Sequence, residues 1–274
     1  MNRILLIVEG EVREKDFFDR YKNVKKMENN ISVVPFRQNI KELFRLCREY
    51  IFDGIKPNDV IDILKDSNIS ADDKKLLDGK FTDRYLIFDL DIQNALDGEK
   101  INGYLKTIKD LVLFFDDSTS IGQILINYPM MDSIYHIKEE FIDSYRDITI
   151  SIDFEASKKY KDNLSKKGLT FDCTRLSKND FDVLTALNLM KANFIVQGKY
   201  ERPTAAEYEA ELKQDNILAC QVNNIIDKNF MYVLNTSLFI DVDLFGRALY
   251  FHNRGERLFD EPTALINFGG KRNL

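Results

Sequence analysis

Acidic side chains that could hold a metal ion follow two short apolar runs of the sequence. They are Glu9 and Glu14 after the first run, and Asp89 and Asp91 at the end of the second. Carboxylates that are brought together repel one another unless a cation neutralises them, and a site made only of oxygen ligands suits Mg²⁺ or Mn²⁺. These residue types therefore predict a divalent-metal site, provided that the fold brings the two runs together.

The two apolar runs are typical of buried parallel strands. Residues 4–8 read ILLIV and residues 85–88 read YLIF, and each run ends abruptly in an acid. In open α/β sheets, ligands bind at the carboxyl ends of such strands. Side chains alternate along a strand, so Asp89 and Asp91 leave the second strand on the same side. Gly10 permits a tight turn after Glu9.

The pattern up to about residue 142 alternates strand with helix. Apolar runs at 31–36 and 121–127 predict further strands, and apolar stripes at helical spacing predict helices, of which 101–115 is the clearest. This order predicts an α/β fold with a mostly parallel sheet flanked by helices. The polar segment 57–79 is interpreted as a helical insertion. Asp132 follows Pro129 in the first turn after the strand 121–127, which places it at the same edge of the sheet.

The chain changes character after residue 142. A lysine-rich segment at 157–167 and helical patterns at 181–197 and 204–229 predict a mainly helical C-terminal region, 143–274, that binds substrate or a partner. The catalytic domain would then be residues 1–142. The apolar run 230–240 fits either a returning strand or a helix.

Composition limits the class of protein. A formal net charge of -6 argues against a protein that coats nucleic acid non-specifically. Three widely spaced cysteines favour the reducing cytoplasm, and Cys47 lies on an apolar helical stripe that predicts a core position. No apolar run approaches the roughly 20 residues that a membrane span needs. We therefore expect a cytoplasmic protein that does not enter a membrane.

The sequence resembles the TOPRIM (topoisomerase–primase) domain. A hydrophobic strand ending in Glu9-Gly10, followed by one ending in Asp89-x-Asp91, is similar to the two motifs of that domain. The second acid at Glu14 and the Asn-x-Pro-x-x-acid segment 127–132 are similar to its nuclease branch, which includes the OLD-family nucleases and the small TOPRIM effectors of bacterial phage-defence systems such as PARIS. The similarity covers roughly residues 3–142. Asp132 stands where a Glu is usual, and the C-terminal half has no matching motif.

This resemblance implies a Mg²⁺- or Mn²⁺-dependent endonuclease that hydrolyses DNA or RNA, including transfer RNA. The implied catalytic residues are Glu9, Asp89 and Asp91. The implied ligands of two metal ions are Glu9, Glu14, Asp89, Asp91 and Asp132. An effector of phage defence must be held in check, and the chain has no P-loop motif of its own. We therefore expect a separate ATPase as regulatory partner.

Basic residues outside the acidic motifs are the candidates for phosphate contacts. They are Arg13, Lys158, Lys159, Lys161 and Lys191. The lysine run also fits a solvated helix face, and Lys191 with Asn188 fits a surface pair. His136, one turn beyond Asp132, is a weaker catalytic candidate. The apolar and aromatic content of the C-terminal half predicts a surface for homodimerisation or for docking on a regulatory chain.

Two other interpretations remain open. The segment Phe88–Asp91 also resembles the first motif of haloacid-dehalogenase-like phosphatases, in which Asp89 would be the nucleophile, Asp91 the general acid and Mg²⁺ the cofactor. The chain also fits a non-catalytic TOPRIM-like interaction module. Metal-dependent cleavage of nucleic acid separates these interpretations, because the phosphatase would instead hydrolyse small phosphomonoesters.

Overall fold

A five-stranded sheet organises the fold, which a computed structural model describes for residues 3–55, 57, 59–65, 67, 69–96, 101–137, 144–153 and 159–246. Its strands lie in the order β2-β1-β3-β5-β4, and their bounds are β1 Ile4–Val8, β2 Ile31–Pro35, β3 Asp83–Asp89, β4 Asp116–Asp117 and β5 Gly122–Asn127. All neighbouring pairs are parallel except β4 with β5. The predicted α/β fold with a mostly parallel sheet is confirmed.

The strand registers bring four carboxyl ends to one edge of the sheet. Val8 at the end of β1 pairs with Pro35 of β2 on one side and with Ile87 of β3 on the other. Asp89 at the end of β3 pairs with Asn127 at the end of β5. The turns that follow these strands therefore meet at one edge, where α/β sheets bind their ligands.

Helices of the first half pack against this sheet. They are α1 Arg13–Val24, α2 Ile40–Asp53, α3 Val60–Lys65, α4 Ala71–Leu77, α5 Gln93–Leu96 and α6 Ile101–Phe114. The Asn39 side chain caps α2 by accepting from the Glu42 amide, and Gly54 ends this helix in the left-handed region at φ 65°. The segment predicted as an insertion supplies α3 and α4. Most residues of α3 are buried, so this segment contributes to the hydrophobic core although its overall composition is polar.

The described part of the C-terminal region is mainly helical. Its helices are α7 Tyr160–Lys166, α8 Lys178–Gln197, α9 Ala205–Glu211, α10 Gln214–Lys228 and α11 Phe239–Phe245. A small antiparallel sheet joins β6 (Thr149–Ser151) to β7 (Phe230–Tyr232). The apolar run 230–240 therefore supplies both alternatives that its sequence allows, since it contains β7 and the start of α11.

Two hydrophobic clusters fill the two faces of the sheet. Alternate residues of β1 belong to different clusters, Leu5 to one and Leu6 to the other, as expected for a strand buried on both faces. Both clusters also contain residues of α8, with Leu189 in the first and Leu184 in the second. The C-terminal region thus packs onto the sheet through both clusters. Among the described residues, no helix has the length and apolar character needed to cross a membrane.

Candidate active site

Glu9 and Asp89 meet at the carboxyl edge of the sheet. The backbone amide of Glu9 continues the ladder by donating to the Ile87 carbonyl at 3.1 Å. The Glu9 carboxylate turns toward β3, where Oε2 accepts a hydrogen bond from the Asp89 backbone N–H at 3.0 Å. The two carboxylates therefore share one site, as the sequence predicts.

The Asp89 side chain is buried and fixed by the turn after β5. Its Oδ1 accepts from the Met131 backbone N–H at 2.8 Å and lies 3.4 Å from Asn127 Nδ2. Met131 begins a 3₁₀ helix that extends to His136. Hydrogen bonds of this kind hold a carboxylate in one orientation.

Asp91 adopts a backbone conformation that few non-glycine residues use. Its φ of 47° lies in the left-handed region, which aspartate tolerates better than most residues. The turn is held by the Leu90 amide, which donates to the Asn127 carbonyl, and by the Asp91 amide, which donates to the Pro129 carbonyl at 3.3 Å. Leu90 is fully buried, whereas Asp91 lies at the surface of the cleft. The turn thus directs the two acids of the Asp-x-Asp motif to the same site.

Gly10 allows the Glu14 carboxylate to lie against the backbone of the first turn. A Cβ added at Gly10 would overlap the Glu14 carboxylate, with its Cδ only 2.6 Å away. Glu14 is the second residue of α1, so the same turn that places Glu9 also places the second acid. This close approach explains why a glycine suits the position after Glu9.

These acids line a cleft of about 510 Å³ together with two cationic side chains. The lining residues are Glu9, Gly10, Glu11, Glu14, Arg37, Gln38, Asn39, Asp89, Asp91, Gln93, Met130 and Lys161. Nearly all of them are polar or charged. Such a lining is unlike the predominantly apolar pocket that holds most small organic ligands.

Burial and repulsion by neighbouring acids raise the pKa values of Glu9 and Asp89. The pKa of Glu9 is raised to about 9, first by burial and then by the charges of Asp89 and Asp91. The pKa of Asp89 is also raised, by burial and by the charges of Asp91 and Glu14, while the charge of Lys161 and the Met131 amide oppose the shift. The protein without a cation therefore keeps protons in this cleft at neutral pH.

The donor set of the cleft fits a hard divalent cation. Its candidate ligands are oxygens only, which suits Mg²⁺ or Mn²⁺. Gln38 adds a buried Oε1 that has no hydrogen-bond partner among the described residues. Within the same part of the chain, no group of three or more His, Cys, Asp or Glu side chains is already arranged to hold a metal ion.

Arg37 belongs to the cleft and was not among the sequence candidates. Its backbone lies in the left-handed region at φ 61°, and its amide donates to the Glu9 carbonyl at 3.0 Å. Its guanidinium pairs with Glu11 at 3.0 Å and with Asp73 of α4 at 2.7 Å. Arg37 is the second residue after β2, so the rule that selected the ends of β1 and β3 also selects it once β2 is placed beside β1.

Asp132 is at the expected edge but faces cations. It is not one of the residues that line the cleft. Its Oδ1 pairs with the Arg13 guanidinium, and its Oδ2 lies 3.6 Å from Lys161 Nζ. Two of the predicted phosphate-binding residues, Arg13 and Lys161, are thereby brought to the site.

The other basic candidates are placed differently. Lys158 lies outside the described residues, and Lys159 is exposed immediately before α7. The prediction that Lys191 contacts nucleic acid or forms a surface pair with Asn188 is wrong, because both residues are fully buried. The Lys191 ammonium donates to the Tyr145 carbonyl at 2.6 Å and to the Ile148 carbonyl at 2.8 Å, so it joins α8 to the segment before β6.

Cys47 is buried and His136 is half-buried. Burial, with the charge of Lys191, lowers the pKa of His136 to about 4, so this side chain is neutral at physiological pH. Cys47 is a core residue, as its apolar stripe predicts, and burial raises the pKa of its thiol to about 12. Neither side chain lines the cleft.

Comparison with known proteins gives no relative for this chain. No protein-family model, no curated protein and no solved structure matches it. The chemistry of the cleft is therefore the basis for assigning a function.

Proposed function

We propose that this chain is a metal-dependent phosphodiester hydrolase that cuts nucleic acid, with its active site in the acidic cleft of a TOPRIM-like sheet. One observation carries this proposal: the Glu9 carboxylate is held on the Asp89 amide across adjacent parallel strands. Asp91 and Glu14 lie near enough for their charges to raise the pKa of Glu9. Four acids gathered from two separate turns are costly to keep unless a cation neutralises them.

Glu9, Glu14, Asp89 and Asp91 are the residues that would hold the metal. Bound Mg²⁺ or Mn²⁺ supplies positive charge that activates water and stabilises the leaving oxygen of a phosphodiester. Glu9 holds a proton at neutral pH in the absence of a cation, because its pKa is about 9. Metal binding would release this proton and leave Glu9 as a carboxylate that serves as a ligand or accepts a proton from water.

The remaining polar residues of the cleft orient these acids and attract phosphate. The Met131 amide fixes Asp89, and Gly10 leaves room for the Glu14 carboxylate. Arg37 and Lys161 add positive charge to the lining, which favours a phosphate group as substrate. A wide, polar cleft suits a polymer that passes across it better than it suits an enclosed small molecule.

The biological setting stays a prediction. A role in phage defence and restraint by a separate ATPase rest on the resemblance of the Glu-Gly and Asp-x-Asp motifs to TOPRIM effectors. Homodimerisation through the C-terminal half is also a prediction, and it rests on the apolar and aromatic content of that half. A nuclease that can cut the nucleic acid of its host needs control by another chain or another copy.

Purified protein tests the substrate class directly. Plasmid DNA, single-stranded DNA and total transfer RNA are incubated with Mg²⁺, Mn²⁺ or EDTA, beside a small phosphomonoester. Cleavage of a nucleic acid that needs the metal and is lost in Glu9→Gln supports the proposal. Hydrolysis of the phosphomonoester alone indicates the phosphatase, and activity that persists in EDTA rules out the metal-dependent nuclease.

A further inference from the structure

Asp132 is a buried carboxylate with a different cation on each oxygen. Its side chain is only 3% exposed. Oδ1 pairs with the guanidinium of Arg13 at the start of α1, and Oδ2 faces the ammonium of Lys161 in α7 at 3.6 Å. Residues that are far apart in the sequence thus converge on one carboxylate.

The two cations remain open to solvent although the carboxylate is not. The side chain of Arg13 is 47% exposed and that of Lys161 is 57% exposed. Arg13 also lies over the ring of Tyr135, with its guanidinium carbon 5.8 Å from the ring centroid, which helps to fix its direction. Asp132 therefore orients the charged groups of Arg13 and Lys161, and both groups remain accessible to a ligand in solvent.

This cation pair adjoins the acidic cleft. Arg13 precedes Glu14 in α1, and Lys161 lines the cleft itself. The 3₁₀ helix that carries Asp132 also supplies the Met131 amide that fixes Asp89. This 3₁₀ helix therefore positions the Asp89 carboxylate through the Met131 amide. Its next residue, Asp132, positions the two cations.

These contacts argue against Asp132 as a metal ligand. A divalent ion on Asp132 would have to displace the two cations or lie against them, and like charges at short distance repel. A planar guanidinium beside an ammonium is instead a common arrangement for binding phosphate oxygens. The charge and exposure of the pair both fit an anion.

On the basis of the proposed function, we infer that Arg13 and Lys161 form a subsite for a backbone phosphate next to the bond that is cut. Asp132 is the positioning residue of this subsite and does not ligate the metal. The ligand is a phosphodiester of a nucleic-acid strand. The bound phosphate replaces some of the contacts that Arg13 and Lys161 make with Asp132. The contacts that remain keep the two side chains in place.

Strand binding in EDTA tests the subsite without any metal. A short fluorescein-labelled single strand, as DNA and as RNA, is titrated by anisotropy at several salt concentrations with Arg13→Gln, Lys161→Gln and Asp132→Asn. Each lost phosphate contact should reduce the slope of log K against log salt by about 0.7. Arg175→Gln and Lys166→Gln are matched controls at exposed positions, and they should keep the wild-type slope. Unchanged slopes in Arg13→Gln and Lys161→Gln would overturn the inference.

Mn²⁺ binding distinguishes positioning from ligation. Electron paramagnetic resonance of free Mn²⁺ gives its affinity for wild type, Asp132→Asn and Asp89→Asn. We expect Asp132→Asn to keep the wild-type affinity while Asp89→Asn loses it. An equal loss in both variants would show Asp132 to be a ligand and refute the inference.

Failure of the subsite and failure of the proposed function give different results. A wild-type protein that cuts nucleic acid while Arg13→Gln and Lys161→Gln bind the strand normally retains the function and loses the subsite. A wild-type protein that cuts nothing, but whose strand binding depends on both cations, retains the subsite and loses the function. Arg13 and Lys161 are exposed, so we expect their variants to fold. These two variants test the subsite even if Asp132→Asn does not fold.

Discussion

The Glu9 carboxylate lies 3.0 Å from the backbone nitrogen of Asp89, a residue 80 positions away in the sequence. This contact exists because β1 and β3 are adjacent and parallel, with Val8 opposite Ile87. Glu9 therefore turns its side chain toward the next strand, where the first acid of the Asp-x-Asp motif begins. Burial at this edge is the first cause of the raised pKa values of Glu9 and Asp89, and the charges of neighbouring acids add to it.

The pH dependence of stability is the first consequence. The pKa of Glu9 rises from 4.5 to about 9 on folding, so the folded protein holds more protons than the unfolded chain between these values. The free energy of unfolding of the metal-free protein should therefore fall as pH rises through this interval. Glu9→Gln keeps an acceptor for the Asp89 amide and has no proton to lose. Urea unfolding in EDTA should show a shallower decline for this variant, and an equally steep decline would contradict the assignment.

Metal binding should release protons. The raised pKa values of Glu9 and Asp89 favour their protonated forms in the absence of a cation, and these acids must ionise to become ligands. Calorimetric titration of Mg²⁺ or Mn²⁺ near neutral pH, in buffers of different ionisation enthalpy, measures the number released. Glu9→Gln should release fewer protons than wild type. Binding with the same heat in every buffer would show that the acids are already ionised.

Gly10→Ala should impair the site more than the fold. The added Cβ overlaps the Glu14 carboxylate, which is the flexible end of a side chain and can move away at small cost in stability. Displacing an active-site acid by about 1 Å can lower activity by about a hundredfold. Gly103→Ala is the matched control. Gly103 lies in α6, and a Cβ added there has no other atom within 4 Å. The control should raise the free energy of unfolding by about 0.5–1 kcal/mol and leave cleavage unchanged.

A Gly10→Ala variant that cuts as fast as wild type would show that the position of Glu14 is unimportant. Loss of activity in Gly103→Ala as well would indicate a general sensitivity to glycine substitution. Unfolding curves of both variants separate these results from a simple loss of structure.

Lys191 should contribute to stability and not to substrate binding. Lys191→Ala removes two buried hydrogen bonds, to the Tyr145 and Ile148 carbonyls, each of which keeps one backbone donor. Each lost hydrogen bond costs about 0.5–1.5 kcal/mol, so the free energy of unfolding should fall by about 1–3 kcal/mol. The salt dependence of nucleic-acid binding, measured where the variant is still folded, should match wild type. A reduced salt slope would mean that Lys191 reaches phosphate after all.

The strand ends were predictable from the sequence, whereas the tertiary placement of basic residues was not. Short apolar runs ending in Glu9 and Asp89 specify buried parallel strands, and such strands place their carboxyl ends at one edge. Lys161 reaches that edge only because α7 returns to the sheet, and no local pattern encodes such a return. Lys191 resembles a surface residue in sequence, and its burial depends on carbonyls of the segment 145–148.

The C-terminal region shows the same limit. Helical periodicity predicted most of its helices, but the pairing of β6 with β7 joins residues about 80 positions apart. Three-residue strands carry too little pattern to be recognised in isolation. Arg37 was predictable in principle, since it follows β2. The position of its side chain depends on ion pairs with Glu11 and Asp73, which only the tertiary structure reveals.

Cleavage by two variants, each changed at a different end of β3, tests the central claim most directly. Asp89 and Asp83 lie at opposite ends of β3, so Asp89→Asn removes a cleft carboxylate and Asp83→Asn removes one from the far edge. The measurement is the single-turnover rate of nucleic-acid cleavage with Mg²⁺ and with EDTA. We predict that EDTA stops wild type, that Asp89→Asn loses about a hundredfold or more in rate, and that Asp83→Asn cuts as wild type does. Metal-independent cleavage, or equal rates in Asp89→Asn and Asp83→Asn, would contradict the account.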